Sequence, residues 1–161
     1  MEPKSVNHPR LLSSASAVAL LLVVAIAVCP VRAANSDLKH DSDVSVATAS
    51  AWLAEWDAGH WKACWNDFSS TLQSDGSLDK WGRHAFSVQE VLGKLQSRKL
   101  IGVQETRLRG KVMRVVFDVT FEHKGLLSEG VNVEKQSDGS WKVSGHWIKP
   151  KTAPWPSELL F

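Results

Sequence analysis

Between positions 111 and 122 the chain alternates strictly. Met113, Val115, Phe117, Val119 and Phe121 fall on one side, and Val112, Arg114, Val116, Asp118 and Thr120 on the other. Successive side chains of a strand point to opposite faces, so the pattern predicts a β-strand with one buried face. A lone strand cannot bury that face; it needs partners and a cover. Partner strands are expected at 100–108, joined through Arg109-Gly110, at 127–135 with Val131 and Val133 inward, and at 140–148 beyond an Asp138-Gly139 hairpin turn. In the last strand, Trp141, Val143, Gly145 and Trp147 are expected to share one face, the face of Phe117 and Phe121.

The cover must come from upstream, where the spacing is helical. Ala49, Trp52, Leu53 and Trp56 form one stripe, stopped by Asp57-Ala58-Gly59. Trp61, Cys64, Trp65, Phe68 and Leu72 form a second. After the turn at Ser74-Asp75-Gly76, Ser77 is placed to cap a third helix over 78–97, with Trp81, Ala85, Val88, Leu92 and Leu95 inward. Three N-terminal helices packed on a four-stranded antiparallel sheet give an α+β fold. A curved sheet wrapped on a helix, as in cystatin-like or nuclear-transport-factor-2-like cones, is the expected architecture.

Ahead of this domain lies an address. Lys4 and Arg10 precede an apolar run at 17–28, and Val31 and Ala33 stand where a secretory signal peptide is cut. The run falls short of the ~20 apolar residues that a membrane span needs. Retention as an anchor stays the alternative, because Leu11 and Leu12 extend the run across Ser13, Ser14 and Ser16. The organisation expected is a signal peptide over 1–33, a flexible leader over 34–43, a single domain over 44–150 and a Pro-rich tail over 151–161.

Cleavage changes the charge. The signal holds three of the 19 Lys and Arg and one of the 17 Asp and Glu, which leaves 16 of each. A neutral domain lacks the basic footprint of a nucleic-acid binder. Only Cys64 remains of two cysteines, so an intramolecular disulfide is excluded and the fold rests on its apolar core.

Candidate chemistry is sparse. The pairs Trp52/Trp56 and Trp61/Trp65 suit either a stacking wall or core packing. His60 and Cys64 are two ligands where a structural zinc site needs four, so no metal is expected. Cys64 among Trp61, Trp65 and Phe68 reads as a small hydrophobe. Ser77-Leu78-Asp79-Lys80 has a Ser-x-x-Lys form but lacks the accompanying motifs, and Ser77 reads as a cap. What remains is a possible aromatic cavity with His84 near the apolar face of the third helix and Glu129 opening the inward series Glu129, Val131, Val133.

The succession Ala51-Trp52-Leu53, Asp57-x-Gly59, Trp61 to Trp65, Trp81, Leu92-Gly93-Lys94, Ser97-Arg98-Lys99-Leu100, Phe117, Phe121, Lys124, Glu129 and Asp138-Gly139-x-Trp141-Lys142-Val143-x-Gly145 resembles a bacterial exported family, "domain of unknown function 4019". The resemblance covers 49–149. It implies a secreted protein and brings no catalytic residues. The chain departs from the pattern at Gln89, where Arg is common, and at His146, where Tyr is common.

These readings converge on an exported, periplasmic or secreted domain that meets the membrane only through its signal segment. It is expected to be a non-enzymatic binding or protein-interaction module without cofactor, for an unidentified protein or an apolar small molecule. Trp81, His84, Glu129 and Trp147 are the candidate ligand contacts. The alternative is a small cone-fold enzyme of isomerase or dehydratase type that uses His84 and Glu129. A weak homodimer is expected through the outer sheet face, built on Val112, Val116 and Ile148 among Arg114, Asp118 and His146.

Overall fold

The computed structural model describes residues 29–106 and 111–151, with side chains from Ser36 onward. The expectations for 1–28, for Arg109-Gly110 and for the tail beyond Lys151 lie outside the described residues. The chain divides into two units, Met1–Asn35 and Ser36–Phe161. The elements below belong to the second, apart from the beginning of the first helix. Their order is α1 Cys29–Asp57, α2 Trp61–Asn66, α3 Ser70–Ser74, α4 Leu78–Leu92, β1 Leu95–Thr106, β2 Val112–Phe121, β3 Lys124–Lys135 and β4 Trp141–Pro150. The fold is α+β, with one antiparallel sheet in the order β1-β2-β3-β4.

The helices differ from the sequence reading in three ways. Among the described residues there are four helical segments rather than three, because the chain breaks at Asp67 and restarts behind Ser69, whose side chain accepts from the Leu72 amide. The expected third helix stops at Leu92, five residues early. Gly93 has φ +73°, and a Cβ there would lie 2.9 Å from the Glu122 Cβ, so this stop requires glycine. The segment 34–43, expected as a flexible leader, lies within α1. Its Asp41 is only 4% exposed and pairs with Lys111 ahead of β2 and with Lys135 at the end of β3. Burial raises the Asp41 pKa, but the hydrogen bond and charge of Lys111, with Lys135, outweigh it, and the carboxyl sits below its ordinary range. Ser77 caps α4 as expected, accepting from the Lys80 amide at 3.4 Å.

The core lies between the sheet and the helices. Met113, Val115, Phe117, Val119 and Phe121 of β2 all join it, as the alternation predicts. From α1 come Ala49, Trp52, Leu53 and Trp56. Trp52 is the anchor: it is 2% exposed, and its Nε1 donates to the Cys64 carbonyl at 3.0 Å. Gln89 Nε2 donates to the Trp56 carbonyl at 2.5 Å and fixes α4 on α1.

The fourth strand corrects the expected face. Asn132 pairs with Gly145 but Val133 pairs with Val143, so Ser144 is an extra residue, a β-bulge. The alternation therefore changes side at Ser144. Val143 points into the core, while beyond the bulge His146 and Ile148 turn inward and Trp147 turns outward. The Trp147 ring lies so close over Gly130 that a Cβ there would sit 2.1 Å from it. Val116, the neighbour of Gly130 on β2, is fully buried. The outer-face assignments of His146 and Ile148 are corrected accordingly, while Val116 keeps the outer face but is buried there rather than open.

Trp141, expected as core, is only half-buried, with Lys135 Nζ 5.7 Å from its ring centroid. Trp52→Ala is therefore predicted to cost about 3–5 kcal/mol, and Trp141→Ala clearly less, in urea unfolding. Equal losses would contradict this placement of the core.

Candidate functional site

Glu129 is a charged residue in an apolar series. It occupies the inward position of β3 between Leu127 and Val131, opposite Phe117 of β2, and it is fully buried. An isolated carboxylate there would be strongly disfavoured, so its partners decide whether the fold tolerates it. Arg98 on β1 reaches across β2 and donates from Nε to Glu129 Oε2 at 2.6 Å. The rest of the guanidinium forks onto Asp57, the last residue of α1, at 2.5 and 3.0 Å. From β4, His146 Nε2 lies 3.0 Å from Glu129 Oε1. One line of charges thus ties α1, β1, β3 and β4 together through the interior.

The electrostatics follow. Burial alone raises the Glu129 pKa; the His146 hydrogen bond and the Arg98 charge outweigh it and hold the carboxyl below its ordinary value. Burial alone lowers the Arg98 pKa, and the hydrogen bonds and charges of Asp57 and Glu129 raise it above its ordinary value. Glu129 is therefore a carboxylate at neutral pH. Since a carboxylate only accepts, the hydrogen between it and His146 belongs to Nε2.

The His146 ring is held between tryptophans. Its centroid is 5.0 Å from that of Trp52 and 4.7 Å from that of Trp56. Trp81 and Phe68 extend the cluster, 4.9 Å apart and edge to face. Beside these rings lies a cleft of about 470 Å³ between α4 and the end of β4. It is lined by Trp56, Phe68, Leu72, Trp81, His84 and Val88, with residues 145–148 of β4. Trp56 is 3% exposed, and its buried Nε1 has no hydrogen-bond partner among the described residues.

The structure places the expected candidates as follows. Trp81 and His84 line the cleft, with His84 exposed at its rim. Trp147 borders it through β4, but its ring lies on the far face of the sheet over Gly130. Glu129 is behind the cleft, and its histidine partner is His146, not His84. His146 is thus the residue that the sequence reading missed. The sequence set it apart only as a departure from the family pattern, and strict alternation along β4 placed it on the outer face.

Other expected chemistry lies elsewhere. His60 pairs with Glu55 at 2.7 Å on the surface. The Cys64 thiol is buried beneath Trp52, and burial, followed by the charges of Glu55 and Asp67, pushes its pKa up to about 12; such a thiol is inert. Among the described residues, no three His, Cys, Asp or Glu side chains gather to hold a metal. A larger groove of about 860 Å³ runs between α2 and α4, past Trp61, Leu78 and Phe86, and Phe86 is 55% exposed. It contains no buried charge.

No curated protein matches the chain. The family described as "Protein of unknown function (DUF4019)" matches residues 48–146, from the middle of α1 to His146, and the chain belongs to that family.

Proposed function

We propose that this chain is an exported, non-enzymatic binding module that holds a small apolar, aromatic molecule in the cleft between α4 and β4. The observation that carries the reading is the wall of that cleft: Trp56, Phe68 and Trp81 around one polar ring, His146, held by a buried carboxylate. Small-molecule sites have this composition, mostly aromatic and apolar with a few fixed polar groups, in volumes of about 300–1,000 Å³. The cone-like curvature expected from the sequence would place such a cleft at the mouth of the sheet.

Binding is tested by thermal melts with small planar aromatics, naphthalene among them. A ligand at about 100 times its Kd adds about 2.7 kcal/mol, so the wild-type Tm should rise measurably. Val88→Trp, which fills the cleft from α4, should keep the fold and abolish the rise. A wild-type Tm that no aromatic moves, or a rise that survives in Val88→Trp, contradicts the reading.

Acid–base catalysis is the second reading, and the His146–Glu129 pair favours it over the His84–Glu129 pair. A histidine with one nitrogen fixed by a carboxylate is oriented to exchange a proton at the other.

Export rests on the sequence of 1–33, and the proposed location is the periplasm. Among the described residues no helix is long and apolar enough to cross a membrane. Mass spectrometry of the protein from an envelope fraction should find a chain beginning at Ala34. A chain beginning at Met1 contradicts cleavage.

A further inference from the structure

The groove of about 860 Å³ between α2 and α4 shares no lining residue with the aromatic cleft. α4 separates the two. It gives Trp81, His84 and Val88 to the cleft, and Leu78, Gly82 and Phe86 to the groove. Trp61 and Ala63 of α2 form the opposite wall. None of these groove residues is fully buried, and Phe86 is 55% exposed. Apolar surface gathered in an open concavity is the mark of a binding surface. Gly82 adds a second observation. Glycine inside a helix is unfavourable relative to alanine, so it needs a reason. The fold supplies none: a Cβ at Gly82 would meet only the Trp61 Cβ, at 3.8 Å, an ordinary contact. What the missing side chain leaves is room in the groove.

The polar groups of the groove narrow the occupant. Ser87 Oγ donates to the Arg83 carbonyl at 2.9 Å, and His60 is engaged with Glu55. The amides of Gly59, His60 and Trp61 all donate to carbonyls of the chain itself. An extended peptide would find no main-chain partner there. A helix pairs its own main chain, but α2, six residues and about 9 Å long, is too short to wall one. An alkyl chain asks for no hydrogen bond, and the α4 wall from Leu78 to Phe86 gives it about 12 Å of apolar length. The charges select the head. Lys62 is exposed and has no partner among the described residues. Arg83 pairs with Asp79 at 2.5 Å, but both are well exposed, so that pair contributes little and Arg83 can turn to another anion. Lys62 and Arg83 outnumber Asp79, which disfavours a cationic head. We infer that the groove binds a free single-chain anionic amphiphile of the fatty-acid class, its chain along Trp61, Leu78, Gly82 and Phe86 and its carboxylate at Lys62 and Arg83.

The groove stands apart from the cleft, and the test keeps them apart. Titration calorimetry is run with dodecanoate, dodecylammonium and acetate, below the concentrations at which they aggregate, and sedimentation with phosphatidylglycerol vesicles is measured alongside. The expected result is that dodecanoate binds at least about tenfold more tightly than dodecylammonium, while acetate, a head without a chain, gives no binding heat. Gly82→Leu fills the groove and should abolish dodecanoate binding without lowering the Tm, because leucine suits a helix better than glycine. Lys62→Glu should erase or invert the preference for the anion, and it decides the matter if Gly82→Leu does not fold. Lys39→Glu makes the same charge change on α1, about 27 Å along the helix from Asp57, and should bind dodecanoate as the wild type does. Dodecanoate that binds Gly82→Leu as tightly as the wild type sits elsewhere, the cleft included, and overturns the inference. Equal binding of dodecanoate and dodecylammonium by the wild type overturns the anionic head. Vesicle binding without dodecanoate binding overturns it in favour of a membrane surface, and the absence of both overturns the site.

Discussion

A carboxylate sits in the apolar interior of this fold, and the elements around it are arranged to hold it there. Glu129 lies on the buried face of a central strand, where an unpaired charge would cost several kcal/mol. Arg98 must cross β2 to reach it, and Arg98 in turn needs Asp57 at the end of α1. His146 can reach it only because β4 changes face at Ser144. The helix end, the edge strand and the bulge thus answer one electrostatic demand. Removing Arg98 would leave Glu129 buried with His146 as its one remaining partner, and removing Glu129 would leave Arg98 with Asp57 alone, so the members are expected to be coupled.

The aromatic cluster depends on the same arrangement. Trp52 and Trp56 lie one turn apart on α1 and hold the imidazole that Glu129 orients. Both also bind the other helices through polar atoms, Trp52 by its Nε1 to Cys64 and Trp56 by its carbonyl to Gln89. Tryptophan suits these positions because its large apolar area comes with one directional donor. At Trp52 that donor is satisfied within the fold; at Trp56 it is not, and Trp56 is the one that lines the cleft.

How much of this was legible depended on the range of the interaction. The β2 strand was legible because its alternation is local, and the Ser77 cap because its partner is three residues away. The helical nature of 36–43 was hidden, because a polar stretch with Asp41 gives no apolar stripe; its burial depends on Lys111 and Lys135, far along the chain. Glu129 could be singled out as a charge in an inward series. Its partner could not, because one extra residue at Ser144 inverts every later side chain of β4. Strict alternation placed Trp147 inside and His146 outside, and the bulge reverses both. Gly93 shows the same limit at a helix end, since the side chains of Glu122 and His123 that leave no room for a Cβ there are distant in sequence.

The central claim is that Glu129 is buried as a carboxylate and held in that state by Arg98 and His146. Its most direct test is the side-chain carboxyl ¹³C resonance of Glu129 followed by NMR as the pH is lowered. A group held ionised by its partners protonates below the ordinary value of 4.5. Because the folded pKa is depressed, the stability it contributes is complete above that value and is lost as the pH falls through the folded pKa. The account predicts a midpoint below 4.5, reached as the protein begins to lose stability in acid. A midpoint at or above 4.5 would mean that burial dominates and that the network does not hold the charge.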